Sequence, residues 1–347
     1  MLTKSELVSF SAEAGFDDCR CASAQRAAHA DEFRRWLETG RHADMDWLAR
    51  DPERRGDPRQ VLEGCRTVII LSKSYYQGDS GRTVAGRIAR YAWGEDYHNV
   101  LQPGLAQLSA TLTEHGGRQR CYIDTGPVLE RDWAEATGIS WTGKSTMSLN
   151  RKQGTWFFLA VILTTLEFEP DSAAVNRCGS CTRCIEACPT RAITAPYQLD
   201  ARRCLSYWTI ENKGPIPIEF RHALGDRIYG CDDCLDACPW NRFARVSNEQ
   251  RFQQPAELAE RPLRSLALMS EDEFRDLFRR SPIKRIKHKR FVRNVCVALG
   301  NVGSVEDLTA LEQLERDPDP LIAEHAAWAK KEIESRISER RLEQLCS

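Results

Sequence analysis

The chain reads as three consecutive parts: an α/β region over residues 1–170, a cysteine-rich α+β segment over 171–250, and a short α-helical region over 251–347. Three observations predict this. Apolar strand-like runs alternate with helical stripes between residues 60 and 170, eight of the 14 Cys crowd between 178 and 238, and helical periodicity runs from 255 to the end. A length of 347 residues suits two or three domains. With 49 Lys+Arg against 50 Asp+Glu the net charge is −1, and 41% hydrophobic with 29% charged residues excludes wholesale disorder. The longest apolar run, Trp156 to Leu163, falls far short of the roughly 20 residues of a membrane helix. The N-terminal segment has no apolar signal-peptide core, so a cytoplasmic location is expected.

Taken in order, residues 1 to about 50 show helical spacing (Leu7, Phe10, Ala14; Phe33, Trp36, Leu37). The stretch DPERRGDPRQ reads as a loop. TVIILS, from Thr67 to Ser72, is a β-branched apolar run and reads as a buried strand. IARYAWGEDYH (Ile88 to His98) mixes aromatic, charged and Gly residues without a period. It reads as a ligand-lining loop or a structural turn, with a turn role for His98. Leu101, Leu105, Leu108 and Leu112 form one helical stripe, and WFFLAVILTTLEFE is the strongest buried strand. Beyond 290, helix, turn, helix, Asp-Pro turn and helix follow one another in HEAT-like grammar.

The cysteines carry the sharpest chemistry. CGSCTRCIEACP places Cys178, Cys181, Cys184 and Cys188 in the C-x2-C-x2-C-x3-C-P run of bacterial ferredoxins. CDDCLDACPW supplies Cys231, Cys234 and Cys238. Aligned on the Cys-Pro ends, its missing first ligand falls at Ile228, and the isolated Cys204 can replace it. In such runs the fourth Cys ligates the other cluster. One [4Fe–4S] cluster is therefore expected on Cys178, Cys181, Cys184 and Cys238, and a second on Cys188, Cys204, Cys231 and Cys234. The alternative is a pair of zinc knuckles, which seldom need two offset runs of this kind. Cys19, Cys21, Cys65, Cys121, Cys296 and Cys346 are scattered and read as inert or buried.

Two motifs need weighing. GISWTGKS (Gly138 to Ser145) satisfies the phosphate-loop pattern, but a phosphate loop joins a strand to a helix, and here a helical stretch precedes and a polar one follows. Nucleotide hydrolysis is not expected; Lys144 meets an anionic group or caps a turn. DTG (Asp124 to Gly126) matches the aspartic-protease triplet in single copy, whereas that chemistry needs two carboxylates. Asp124 reads either as a turn residue bonding its own backbone or as an acid at a strand end.

The order ARYAWGEDYH, YIDTGPVLERDWAEATGISWTGKSTMSLNR, WFFLAVIL, the ferredoxin run, CLSYWTIENKG, YGCDDCLDACPWN and a HEAT-like tail resembles the epoxyqueuosine reductase family over nearly the whole chain. The resemblance implies a cobalamin-binding catalytic α/β domain over 1–170, a ferredoxin-like domain with two [4Fe–4S] clusters over 171–250, and a basic HEAT-like, tRNA-binding region over 251–347. It implies reduction of the epoxide of epoxyqueuosine in tRNA to queuosine, the last step of queuosine biosynthesis, with electrons relayed from an external one-electron donor through the clusters to cobalt. Asp124 would be the proton donor, its pKa raised by an apolar corrin pocket. Cobalamin contacts carry over to Arg55, Tyr91, Asp124, Ser148, Leu159, Ser206 and Asp232, although Leu159 also reads as plain core. No His stands out as an axial cobalt ligand; His98 of DYH is the one candidate beside its turn role, and without it cobalt would be bound with no protein ligand.

Between Arg279 and Arg293 lie eight basic residues and no acidic one, which suits a phosphate-binding face with steep salt dependence, although charge runs are often only solvated helix. Lys284, Arg285, Lys287 and Arg290 are the candidate tRNA contacts, and the chain is expected to act as a monomer on a queuosine-type anticodon loop. Two rivals differ in class. A dehalogenase-like cobalamin reductase would ignore tRNA, and a plain iron–sulfur electron carrier would bind no corrin.

Overall fold

The computed structural model describes residues 2–78 and 86–346, except for the side chains at 340, 341 and 344–346. The chain divides into two compact units that do not follow chain order. The first comprises Met1–Gly78, Tyr97–Ala201 and Asp233–Arg251; the second comprises Asp79–Asp96, Arg202–Asp232 and Phe252–Ser347.

A four-stranded sheet organises the first unit: β1 (Asp18–Ser23), β2 (Thr67–Ser74), β3 (Gln119–Tyr122) and β4 (Phe157–Thr164), in the order β1-β2-β4-β3. Every pairing is antiparallel, with Ile70 opposite both Arg20 and Val161. β2 and β4 are the two central strands, and both read in sequence as continuous apolar runs because neither face meets water. Helices cover both faces. Helix α1 (Lys4–Glu13) packs on β1, and α3 (Tyr97–Glu114) packs on β3 and β4 through the buried Leu101, Leu105, Leu108 and Leu112. Across the sheet, Val68, Ile70, Val161 and Leu163 pack with Trp133 and Ala134 of α4 (Glu130–Ala136) and Ala30 of α2 (Ala30–Glu38).

Three local expectations are corrected. The N-terminal fifty residues are not wholly helical, because Asp18–Ser23 forms edge strand β1. The stretch DPERRGDPRQ is not loop: Pro52–Gly56 and Pro58–Val61 are single helical turns, each with Pro first and a preceding Asp (Asp51, Asp57) accepting a backbone N–H. His98 lies in the first turn of α3 against the Tyr97 ring rather than in a loop turn.

The second unit forms around helix α7 (Lys287–Val302), which packs on the long final helix α9 (Pro320–Cys346); α8 (Leu308–Leu314) completes the HEAT-like grammar. Its core joins Phe274, Phe278, Phe291, Val295 and Leu299 to Ile88, Trp93, Ile228 and Tyr229. The short parallel pair Arg87–Ile88 and Arg227–Tyr229 is thus part of the tail's own core. That is why Arg202–Asp232, midway along the cysteine-rich segment, groups with the tail. Of the scattered thiols, Cys19, Cys21, Cys65 and Cys296 are buried and Cys121 is partly so; burial pushes Cys19 and Cys296 up to about 12, which makes them inert. The Cys346 side chain lies outside the described residues. Among the described residues, no helix is long and apolar enough to cross a membrane.

Candidate active site and cluster loops

Asp124 stands just past the end of β3. Its backbone is left-handed (φ 60°), a conformation that Asp tolerates better than most residues. Two groups hold it there. Tyr97 donates its hydroxyl to Asp124 Oδ2 at 2.7 Å, and the Asp124 backbone N–H donates to Glu130 Oε1 at 3.0 Å. Arg55 donates to the Gly126 carbonyl at 3.1 Å, fixing the same turn from below. Tyr97 is itself stacked on Phe158 of β4, with ring centroids 4.4 Å apart. Asp124 is exposed, and its carboxylate is held by Tyr97, the first residue of α3, whose ring is fixed by stacking on the sheet.

Sequence reasoning overlooked Glu130. Burial of its carboxyl and the nearby Asp124 charge push it up to about 8, against weaker lowering by the Asp124 N–H, Arg131 and Arg55. A carboxyl whose folded pKa is raised contributes most below its unfolded value, and that contribution fades as pH rises towards the folded one. Glu130→Gln should therefore remove a loss of stability that the native chain shows between about pH 5 and pH 8, worth on the order of a few kcal/mol. Chemical denaturation of both proteins at several pH values checks this; parallel pH profiles would contradict it.

The phosphate-loop look-alike is a β-hairpin. Trp141–Thr142 pairs with Ser148–Leu149, and Gly143 N–H bonds the Met147 carbonyl across the turn. No helix follows it, so its backbone amides do not converge on a phosphate. The hairpin is instead tied to the first cysteine run. Asn176 donates to the Thr142 carbonyl at 2.8 Å and accepts the Cys178 N–H at 3.0 Å. Lys144 Nζ donates to the carbonyls of Gly179 and Cys181 at 2.7 and 3.0 Å.

Helix α5 (Arg183–Glu186) of the first run packs against α6 (Asp233–Asp236), which follows Asp232 in the second. This brings Cys238 to the first run. Its thiol is pushed up to about 11 by burial, with further contributions from Cys178, Cys184 and Cys181. Cys184 is raised by burial and then by Cys178 and Cys181. As thiolates, cysteines grouped in this way would repel one another, and the cationic core of an iron–sulfur cube would offset that repulsion. Cys188 Sγ accepts the Ala192 N–H at 3.1 Å. It belongs with Cys234 to the first unit, whereas Cys204 and Cys231 belong to the second.

The candidate cobalamin residues divide likewise. Arg55, Asp124, Ser148 and Leu159 lie in the first unit, and Tyr91, Ser206 and Asp232 in the second. Ser148 Oγ is buried without a partner, as a hydroxyl reserved for a bound group would be. Leu159 alone in its strand is partly exposed, while still packing on the core. Asp232 accepts the Arg90 N–H at 2.7 Å, Tyr91 and Tyr229 share a hydroxyl contact at 3.2 Å, and Ser206 opens a π-helical turn, Tyr207–Glu211.

The basic stretch is less available than its composition implies. Arg285 makes two bonds to Asp96, at 2.7 and 2.6 Å. Arg290 donates to the carbonyls of Ile286, Ile210 and Arg285, and Arg293 is fully buried on those of Trp208, Asn212 and Gly214. The Arg290 and Arg293 guanidiniums thus give hydrogen-bond partners to carbonyls of the 208–214 segment. Lys284 and Lys287 remain exposed.

A fold with a helix-covered catalytic sheet and paired cysteine runs defines an iron–sulfur oxidoreductase. Residues 177–241 match the 4Fe-4S double cluster binding domain, which sets the zinc alternative aside, and residues 55–125 match "Epoxyqueuosine reductase QueG, DUF1730". A Pseudomonas aeruginosa epoxyqueuosine reductase is 39% identical over 327 residues, 91% of each chain. A crystal structure of epoxyqueuosine reductase with an epoxyqueuosine-modified tRNA-Tyr stem loop superposes with TM-score 0.89 at 31% identity, covering 95% of this chain and 90% of that one. A Bacillus subtilis epoxyqueuosine reductase, whose catalytic aspartate loop is swung out of the active site, superposes at 0.85 with the same identity and coverage. The chain belongs to the epoxyqueuosine reductase family.

Proposed function

We propose that this chain removes the epoxide oxygen of epoxyqueuosine in tRNA, using cobalamin and two [4Fe–4S] clusters, with Asp124 as proton donor. The observation that carries the reading is the exposed Asp124 carboxylate, aimed by Tyr97 at a sheet end within a double-cluster chain of this family. Loss of the oxygen as water, leaving an alkene, takes two electrons and two protons. Low-potential electrons for that bond cleavage are what reduced cobalamin and the clusters supply when bound. The chain's residues do the rest. Asp124 delivers one proton to the departing oxygen and solvent water the second, Tyr97 orients the Asp124 carboxyl, and Glu130 and Arg55 hold the turn. The family resemblance assigns cofactor contacts to Arg55, Tyr91, Ser148, Leu159, Ser206 and Asp232, and the unpartnered, buried Ser148 hydroxyl supports its share of them. Cys178, Cys181, Cys184 and Cys238 would hold one cluster; the run spacing assigns Cys188, Cys204, Cys231 and Cys234 to the other.

The tRNA would be met partly by Lys284 and Lys287. Changing both to Gln should flatten the slope of log affinity against log salt by roughly one to two units, since each phosphate contact contributes about 0.9. An unchanged slope would make this stretch scaffold. Filter binding over a salt series measures it. We assign electron delivery to a separate one-electron donor and expect a cytoplasmic monomer. Retention experiments test the whole reading: the protein should hold a corrin and modified tRNA together. A protein that binds no corrin would be an electron carrier, and one that ignores tRNA would act on a small molecule.

A further inference from the structure

We propose that Lys144 sets the reduction potential of the cluster held by Cys178, Cys181, Cys184 and Cys238, through its charge on the loop that carries the first two thiols. The inference rests on the double-cluster reading. Lys144 lies in the hairpin turn between Trp141–Thr142 and Ser148–Leu149, the segment whose phosphate-loop spelling the fold leaves without a nucleotide role. Its ammonium reaches out of the hairpin to two carbonyls of one loop, Gly179 at 2.7 Å and Cys181 at 3.0 Å. Gly179 sits between the first two thiols with a left-handed backbone (φ 52°), and Cys181 is itself a ligand.

The hairpin is braced for this task. The Tyr197 N–H bonds the Lys144 carbonyl at 3.0 Å, and Asn176 clamps Thr142 to Cys178. Lys144 is thus fixed at both its backbone and its tip. A surface Lys that merely avoids solvent does not spend two donors on carbonyls of a ligand loop. Cluster potential follows net charge, hydrogen bonding near the sulfurs and solvent exposure. On reduction one electron enters from the donor, no bond forms or breaks, and the negative charge of the thiolate-bound cube rises by one. A cation held on the ligand loop favours the more negative state, and so makes this cluster the easier to reduce. Lys144 is a positioning residue in this scheme, since it touches neither substrate nor sulfur.

The test uses full-length protein with reconstituted clusters, titrated anaerobically with dithionite and mediators and followed by EPR. In Lys144→Met, iron content should stay at the wild-type level, and one cluster signal should become harder to reduce by roughly tenfold in equilibrium constant, about 59 mV for one electron. The other signal should not move, and Lys144→Arg should restore the first. Unchanged midpoints with full iron would overturn the proposal, as would equal shifts of both signals. If Lys144→Met loses iron, Lys144→Gln decides, because it keeps a donor without the charge. Loss of iron there too, or a wild-type midpoint in Gln, would overturn the role of charge. Wild-type protein without two cluster signals would sink the double-cluster reading itself.

Discussion

Asp124→Asn should stop epoxide reduction while leaving iron content and corrin retention at wild-type levels. Asn keeps an oxygen for the Tyr97 hydroxyl, keeps the backbone N–H that Glu130 accepts, and tolerates the left-handed backbone. Only the transferable proton is lost. A general acid contributes about 10²–10⁴-fold, so single-turnover rates should fall by at least a hundredfold. A rate within a fewfold of wild type would remove Asp124 from the proton-donor role.

The second large effect concerns the sharing of cysteines between runs. Although Cys238 closes the second run in sequence, its thiol lies in the neighbourhood of Cys178, Cys181 and Cys184. Cys238→Ala should therefore delete the same EPR signal as Cys178→Ala and remove about half of the iron, and the double variant should lose no more than either single one. If Cys238→Ala instead removes the signal that Cys231→Ala removes, the runs keep their own ligands and the exchange is wrong.

Much of this was legible in the sequence because some signals are local. The β2 and β4 runs, the Leu stripe of α3 and the cysteine spacing each follow from a single periodicity or a ligand count. β1 escaped because its alternating residues, Asp18 and Arg20 against the small thiols Cys19 and Cys21, carry little hydrophobic weight at a sheet edge. The two turns beginning at Pro52 and Pro58 escaped because Asp-Pro signals both a helix start and a break. Glu130 could have been suspected from its place six residues beyond Asp124, but its burial and its bond to the Asp124 N–H depend on tertiary packing.

The basic tail shows the limit of composition. Arg285, Arg290 and Arg293 look like a nucleic-acid face in one dimension, yet each is spent on Asp96 or on backbone carbonyls of its own unit. Charge counting sees the donors but not the acceptors brought to them from residues 96 and 208–214. For Lys144 the reverse holds: the motif around it pointed to phosphate, and its partners turned out to be the carbonyls of a cluster loop.

The most direct test of the central claim is anaerobic turnover. Protein with reconstituted clusters is mixed with cobalamin, a low-potential reductant and tRNA carrying epoxyqueuosine, and the nucleosides are then analysed by mass spectrometry. The account predicts loss of one oxygen mass at the modified nucleoside, and no loss when cobalamin is omitted. Unchanged epoxyqueuosine despite full iron content and bound corrin would contradict it.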